Sequence, residues 1–167
     1  MRTTMRTGTR TSPMAREDVL DRLAAPLALI SRLHPEDVPG CERALKTLPL
    51  DDLEAALRSA HQEGWLTPRE GGGVRFGRLA KPGADTHGYS VDVVEMCGPA
   101  RGPNGLAAHT HLTGEFDLCI PLSGSPAFDG RRDRWVVFPP GSRHVPTVTG
   151  GTMLVVYFVK DGAIRFE

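Results

Sequence analysis

The densest grouping of ligand-type side chains in the sequence is His109-Thr110-His111-Leu112-Thr113-Gly114-Glu115. Side chains alternate between the faces of a strand, so histidines at i and i+2 project the same way. A turn at Thr113-Gly114 would start the next strand and return Glu115 to their side. A third histidine, His144, ends the run Pro139-Pro140-Gly141-Ser142-Arg143-His144, where Pro and Gly imply a tight turn leading into another strand. Three neutral imidazoles and one carboxylate suit a divalent transition metal such as Fe, Mn, Zn or Ni. Four protein ligands of an octahedron would leave two positions for water or substrate. His34, His61 and His87 have no such company and read as ordinary surface or core residues.

Two kinds of element must position this set. From Ala15 to Leu66 the pattern is helical. Val19, Leu20, Leu23, Leu27 and Ile30 recur every three to four residues, which is one face of a helix. Pro26 falls inside that pattern and should kink or split it. A second helix is expected over Cys41 to Leu48. A third should carry Leu53, Leu57 and Ala60, start at an Asp51 or Asp52 cap and end near Gly64. Pro68 and Gly71-Gly72-Gly73 then mark a boundary, with the glycines read as a hinge. Beyond it lie runs of strand length: Val74–Leu79, Tyr89–Cys97, Ala107–His111, Glu115–Leu122, Trp135–Phe138 and Thr152–Val159. Their close spacing, with turn residues between, reads as a β-sandwich or barrel. The expected organisation is a disordered tail over 1–14, a helical segment over 15–66 packed on the barrel, and a small β-barrel over 72–167. The fold class is thus mainly β with an N-terminal α-helical segment.

Composition bounds the function. The chain has 167 residues, with Lys plus Arg and Asp plus Glu balanced at 20 each. That excludes strongly basic nucleic-acid binders and polybasic membrane-surface proteins. Asp51 to Glu63 is mainly acidic, so the helical segment offers no basic recognition helix either. No apolar run approaches the roughly 18 residues of a membrane span. Gly 19 and Pro 14 mark a turn-rich chain with enough apolar residues for a core. The Arg- and Thr-rich start lacks the apolar stretch of a secretory signal. Its composition is also that of a transit peptide, but a frayed tail is the simpler reading. Cys41, Cys97 and Cys119 are odd in number with no CxxC, so a reducing, cytoplasmic setting is expected. Gly71-Gly72-Gly73 lacks the strand-to-helix context of a phosphate or dinucleotide loop, and no organic cofactor is expected.

His109, His111, Glu115 and Gly124, with Pro139, Gly141 and His144, resemble the two motifs of the cupin superfamily. The spacer before Gly124 is longer than usual, position 148 is Val instead of Asn, and position 103 is Pro instead of Gly. The resemblance implies a double-stranded β-helix, a small barrel with a metal in its mouth. A closer resemblance runs through Trp65–Glu70, Val74–Arg78, Ser90–Met96, Gly114–Cys119 and Trp135–Val148. These segments look like the 4-hydroxylaminobenzoate lyase family. That family implies conversion of 4-hydroxylaminobenzoate to 3,4-dihydroxybenzoate (protocatechuate) with release of ammonia, in bacterial nitroaromatic degradation. A homodimer is expected on cupin analogy alone.

Further candidates complete the expected site. Glu95 and Asp117 are candidate general acid/base groups: Asp117 shares a strand face with Glu115, and Glu95 lies in an otherwise apolar strand. Arg75 is favoured to pair the substrate carboxylate through its planar fork, with Arg78 on the opposite strand face and Arg143 as alternatives. Trp135 and Tyr157 are candidates for an aromatic wall around a small aromatic substrate. The competing readings are a cupin non-haem dioxygenase on a small aromatic or thiol substrate, and a non-enzymatic metal- or ligand-binding cupin. The ligands alone do not separate these.

Overall fold

The computed structural model describes residues 12–98 and 107–167. The tail expected over 1–14 and the residues around Pro103 therefore lie mostly outside the described part. Three helices come first: α1 (Arg16–Ile30), α2 (Val38–Leu45) and α3 (Asp51–Gln62). Nine strands follow: β1 (Arg69–Gly71), β2 (Val74–Ala80), β3 (Tyr89–Cys97), β4 (His109–His111), β5 (Glu115–Phe128), β6 (Trp135–Phe138), β7 (Arg143–His144), β8 (Val148–Lys160) and β9 (Ile164–Phe166). Six form an antiparallel sheet in the order β1-β2-β3-β8-β5-β6, and three form a second sheet in the order β7-β4-β9. The result is a mainly β fold of two sheets that, among the described residues, do not close into a continuous barrel.

The two faces of the large sheet have different partners. Val91 and Val93 of β3, Phe116, Leu118 and Ile120 of β5, Trp135 and Val137 of β6, and Leu154, Val156 and Phe158 of β8 face outward. They pack against Val19, Leu23, Leu27 and Ile30 of α1, Cys41 and Leu45 of α2, and Leu53, Leu57 and Ala60 of α3. Full burial of such a side chain contributes about 1.5–3 kcal/mol, so this outer layer is the main core. The alternate residues, among them Val94, Met96, Cys119, Val136, Met153 and Val155, form a second cluster on the inner face.

Several elements differ from the sequence reading. Helix α1 runs unbroken through Pro26, whose ring is buried against the core, so packing offsets the lost hydrogen bond. The cap of α3 is Leu50, which offers no side-chain acceptor. Gly71-Gly72-Gly73 is no hinge: Gly72 and Gly73 take φ of 58° and 79° in the hairpin turn that pairs β1 with β2. Strands β5 and β8 are much longer than expected and bend through register shifts at Pro121–Ser123 and Gly124–Ala127. The short strands β1, β7 and β9 carry too few residues to show a period. Among the described residues no helix is long and apolar enough to cross a membrane.

Candidate metal centre

Strand β4 pairs with β7 in a register that sets His109 opposite His144. His111, two residues on, shares the face of His109. The chain then turns at Gly114, where φ is +88°, and enters β5 with Glu115 aimed back at the imidazoles. The ligand atoms of His109, His111, Glu115 and His144 lie within 4.8 Å of one another. His109 Nε2 is 3.0 Å from His111 Nε2 and 3.1 Å from His144 Nε2, and His111 Nε2 is 3.4 Å from Glu115 Oε2. His109, His111 and Glu115 are buried.

The other ring nitrogen of each histidine fixes its proton. His109 Nδ1–H donates to the Ala107 carbonyl at 3.2 Å. His144 Nδ1–H donates to Asp129 Oδ2 at 2.5 Å. Ser142 Oγ–H donates to the Pro139 carbonyl at 2.6 Å, so its oxygen accepts from His111 Nδ1–H at 2.8 Å. All three Nε2 atoms therefore present bare lone pairs to one another and to a carboxylate. Burial, with His144 as the next cause, pushes His109 down and His111 down to about 3, so added protons do not relieve the crowding at neutral pH. Glu115 Oε2 has no hydrogen-bond partner. Lone pairs this close are favourable only around a cation, and imidazole nitrogen with carboxylate oxygen is a donor set for a divalent transition metal. The residues fit the group.

Asp117, two residues along β5, is fully buried with neither carboxylate oxygen hydrogen-bonded. Burial raises both carboxyl groups, Glu115 to about 7 and Asp117 well above the ordinary range, where the neighbouring Glu115 charge adds to it. Beside the cluster is a cavity walled by apolar side chains including Val94, Met96, Phe128, Val155 and Phe166, with Tyr157, His109 and Glu115 also on its lining.

Of the residues expected in the site, the four ligand candidates, Asp117 and Tyr157 share the inner face. Three others are placed elsewhere by strand alternation. Glu95 is on the outer face, where its carboxylate meets His61 Nε2 of α3 at 2.8 Å. Arg75 sits opposite Glu95 across the β2–β3 pairing and donates to the Thr67 carbonyl. Trp135 is buried under the helices with its ring 5.9 Å from that of Phe158. Arg143 holds both carboxylate oxygens of Glu167 on the surface. Sequence reasoning missed Asp129 and Ser142, which orient two of the imidazoles. The only signal for Asp129 was its turn-forming Asp129-Gly130 pair.

Fold and site together define a mainly β protein built around a buried cluster of three histidines and one glutamate that could hold a metal ion. A sequence profile described as PnbB: 4-hydroxylaminobenzoate lyase matches residues 44–166, and the chain belongs to that family. It is 29% identical over 119 residues to a 4-hydroxylaminobenzoate lyase of Nocardioides sp. (strain LMS-CY), an alignment covering 66% of this chain and 68% of the relative. It is 27% identical over 117 residues to a 4-hydroxylaminobenzoate lyase of Pseudomonas putida, covering 63% and 66%. The chain thus spans about two thirds of these relatives. Among solved structures, oxalate oxidase in complex with the substrate analogue glycolate aligns with a TM-score of 0.42 at 19% identity, over 58% of this chain and 56% of that one.

Proposed function

We propose that this protein is a metal-dependent lyase that converts 4-hydroxylaminobenzoate to 3,4-dihydroxybenzoate with release of ammonia. The observation that carries the reading is the cluster of three unprotonated Nε2 atoms and a buried carboxylate at the wall of an apolar cavity, in a chain of this family. The reaction takes up one water and releases one ammonia, so no external oxidant or reductant is needed. The N–O bond must break, water must add to the neighbouring ring carbon, and the resulting imine must hydrolyse.

His109, His111, Glu115 and His144 would hold the metal. When bound, the metal supplies Lewis acidity for the departing hydroxylamine oxygen and lowers the pKa of a bound water. The chain's own residues do the rest. Val94, Met96, Phe128 and Val155 pack the ring faces and exclude bulk water, which strengthens charge interactions inside. Burial raises the Asp117 carboxyl well above the ordinary range, and Asp117 lies on the same face of β5 as Glu115. In this reading Asp117 would be the general acid for the leaving oxygen or nitrogen. The free thiols Cys41, Cys97 and Cys119 are in keeping with a cytoplasmic setting. The proposal includes a homodimer, with Leu112 and Phe166 as exposed apolar side chains beside β4 and in β9, and size-exclusion chromatography tests it.

The test is an anaerobic assay with 4-hydroxylaminobenzoate, following ammonia and 3,4-dihydroxybenzoate. As-purified protein should form both, and chelator-stripped protein and His111→Ala should not. Product in all three would remove the metal from the mechanism. Turnover of an aromatic or thiol substrate only with oxygen would favour a dioxygenase, and ligand binding without product would favour a binding module.

A further inference from the structure

The metal cluster accounts for one end of a substrate, and the same sheet face carries an unassigned feature about three strands away. Arg78 of β2 is registered with Asp92 of β3, Asp92 with Tyr157 of β8, and Tyr157 with Asp117 of β5. Registered residues project from the same face, so Arg78, Asp92, Tyr157 and Asp117 form one polar row across the inner face, ending beside the metal ligands. With strands about 4.8 Å apart, the row spans about 14 Å between Arg78 and Asp117 Cα atoms. An arginine side chain and a para-disubstituted benzene ring together fill such a span.

A second cavity opens along this row. Its lining includes Arg69, Arg78 and Lys81, with Asp92 as the one carboxylate, and it shares Tyr157 with the apolar cavity at the cluster. Arg78 commits Nε and one terminal nitrogen to Asp92, at 2.7 and 3.4 Å. Among the described residues its other terminal nitrogen makes no hydrogen bond, and the side chain, which lines this cavity, keeps 44% exposure. The Tyr157 hydroxyl likewise has no hydrogen-bond partner among the described residues. Of the arginines nearest the row or weighed from the sequence, Arg69 lies 5.6 Å over the Phe76 ring, Arg75 is on the opposite face of β2 and Arg143 is paired with Glu167.

We propose that Arg78, oriented by Asp92, forms with the Tyr157 hydroxyl the subsite that takes the carboxylate of an aromatic acid whose para substituent reaches the His109–His111–Glu115–His144 cluster. The inference rests on the aromatic-acid reading given above. It accounts for a cavity walled by apolar side chains and a cationic one sharing Tyr157, and it makes the carboxylate a selected feature of the substrate. Arg78 is a binding residue here, since a guanidinium edge pairs a carboxylate directly.

The test compares equilibrium binding of 4-aminobenzoate and 4-aminobenzamide, which lack the scissile N–O bond, to the metal-loaded full chain. Wild type should prefer the acid by about tenfold or more, the scale of a hydrogen bond to a charged group. Arg78→Met should weaken the acid by about that factor and the amide by less than about twofold. Because Arg78→Met leaves Asp92 unpaired, the double variant Arg78→Met/Asp92→Asn is measured beside it and should show the same loss. Arg75→Met, on the opposite face of the same strand, should leave the preference intact. Tyr157→Phe should reduce the preference in part. Equal binding of acid and amide by wild type would overturn the proposal. So would a preference that survives in the Arg78 variants, or one lost equally in Arg75→Met. An Arg78-dependent preference without ammonia from 4-hydroxylaminobenzoate would keep the subsite and overturn the lyase reading. Ammonia release with an Arg78-independent preference would do the reverse.

Discussion

His144 can offer a bare Nε2 only while its Nδ1 proton has an acceptor, and Asp129 is that acceptor. Asp129 is itself pinned, since the Thr147 backbone N–H donates to its second oxygen at 2.9 Å. Removing such an outer partner typically costs about 10- to 100-fold in metal affinity. Asp129→Ala should therefore weaken metal binding by about that factor in a chelator competition, and Asp129→Asn should recover part of it. A second expectation concerns pH. In the metal-free chain Glu115 is raised from 4.5 to about 7 and Asp117 is raised too, so the folded state holds protons that the unfolded state releases. Raised carboxyls stabilise at low pH, and that stability is lost as pH rises through the folded pKa. His109 and His111 are lowered from 6.5 and act oppositely as pH falls below about 6.5. Above pH about 7 the carboxyl effect outweighs the fading histidine one, so the melting temperature of metal-free protein should fall as pH rises from about 7 to 8. Metal-loaded protein should show no such fall, and a rising metal-free curve would refute the assignment. The clustering of His109, His111, Glu115 and His144 was legible in the sequence because i, i+2 spacing in a strand leaves little freedom. Asp129 and Ser142 were not, because they approach through backbone turns that local spacing does not encode.

Elements turn these side chains into a site, and the turn at Gly114 shows how narrowly. A Cβ there would meet Pro35 Cβ at 2.8 Å and the Phe138 carbonyl at 3.0 Å, at a φ of +88°. Gly114→Ala should cost about 1–3 kcal/mol from the backbone conformation alone, with the crowding adding to it. It should also loosen the approach of Glu115, which urea unfolding and metal titration of the same variant would show together. Strand positions were mostly readable from turn residues. Strand faces were harder to read. Strand β3 is apolar on both sides, Val91 and Val93 facing the helices and Val94 and Met96 the cavity. Its pattern therefore does not say which face of β2 is inward, and Arg75 could not be told from Arg78. Glu95 was misread for the same reason: its partner His61 comes from a helix thirty-four residues earlier. Pro26 was expected to break α1, but local propensity lost to burial.

At the scale of the whole molecule, the helices are a structural layer. Glu42 of α2 accepts both terminal nitrogens of Arg131, and Glu54 of α3 bonds Arg58 and Arg134, tying the layer to the strands. Stripping it would bare a contiguous apolar face that includes Phe116, Leu118, Trp135, Val137 and Phe158, an aggregation liability. A chain beginning at Thr67 should accumulate in inclusion bodies although it keeps all four residues of the histidine–glutamate cluster, as the soluble fraction on expression would show. That the helices dock on the sheet was readable from their apolar stripes. That they cover the face opposite the histidine–glutamate cluster was not, because the stripes are silent about which side they meet.

Strand β5 is a party wall between two tenants. Glu115 and Asp117 serve one side, and Phe116 and Leu118, one residue away, serve the other. A repacking campaign that adds bulk beneath α1 or α2 will nudge this ribbon, and the two carboxylates will travel with it. Thermostability and the geometry of the histidine–glutamate cluster are therefore mechanically linked here. An engineer who wants to raise one without disturbing the other should work at the solvent-facing side of the helices and leave the wall alone.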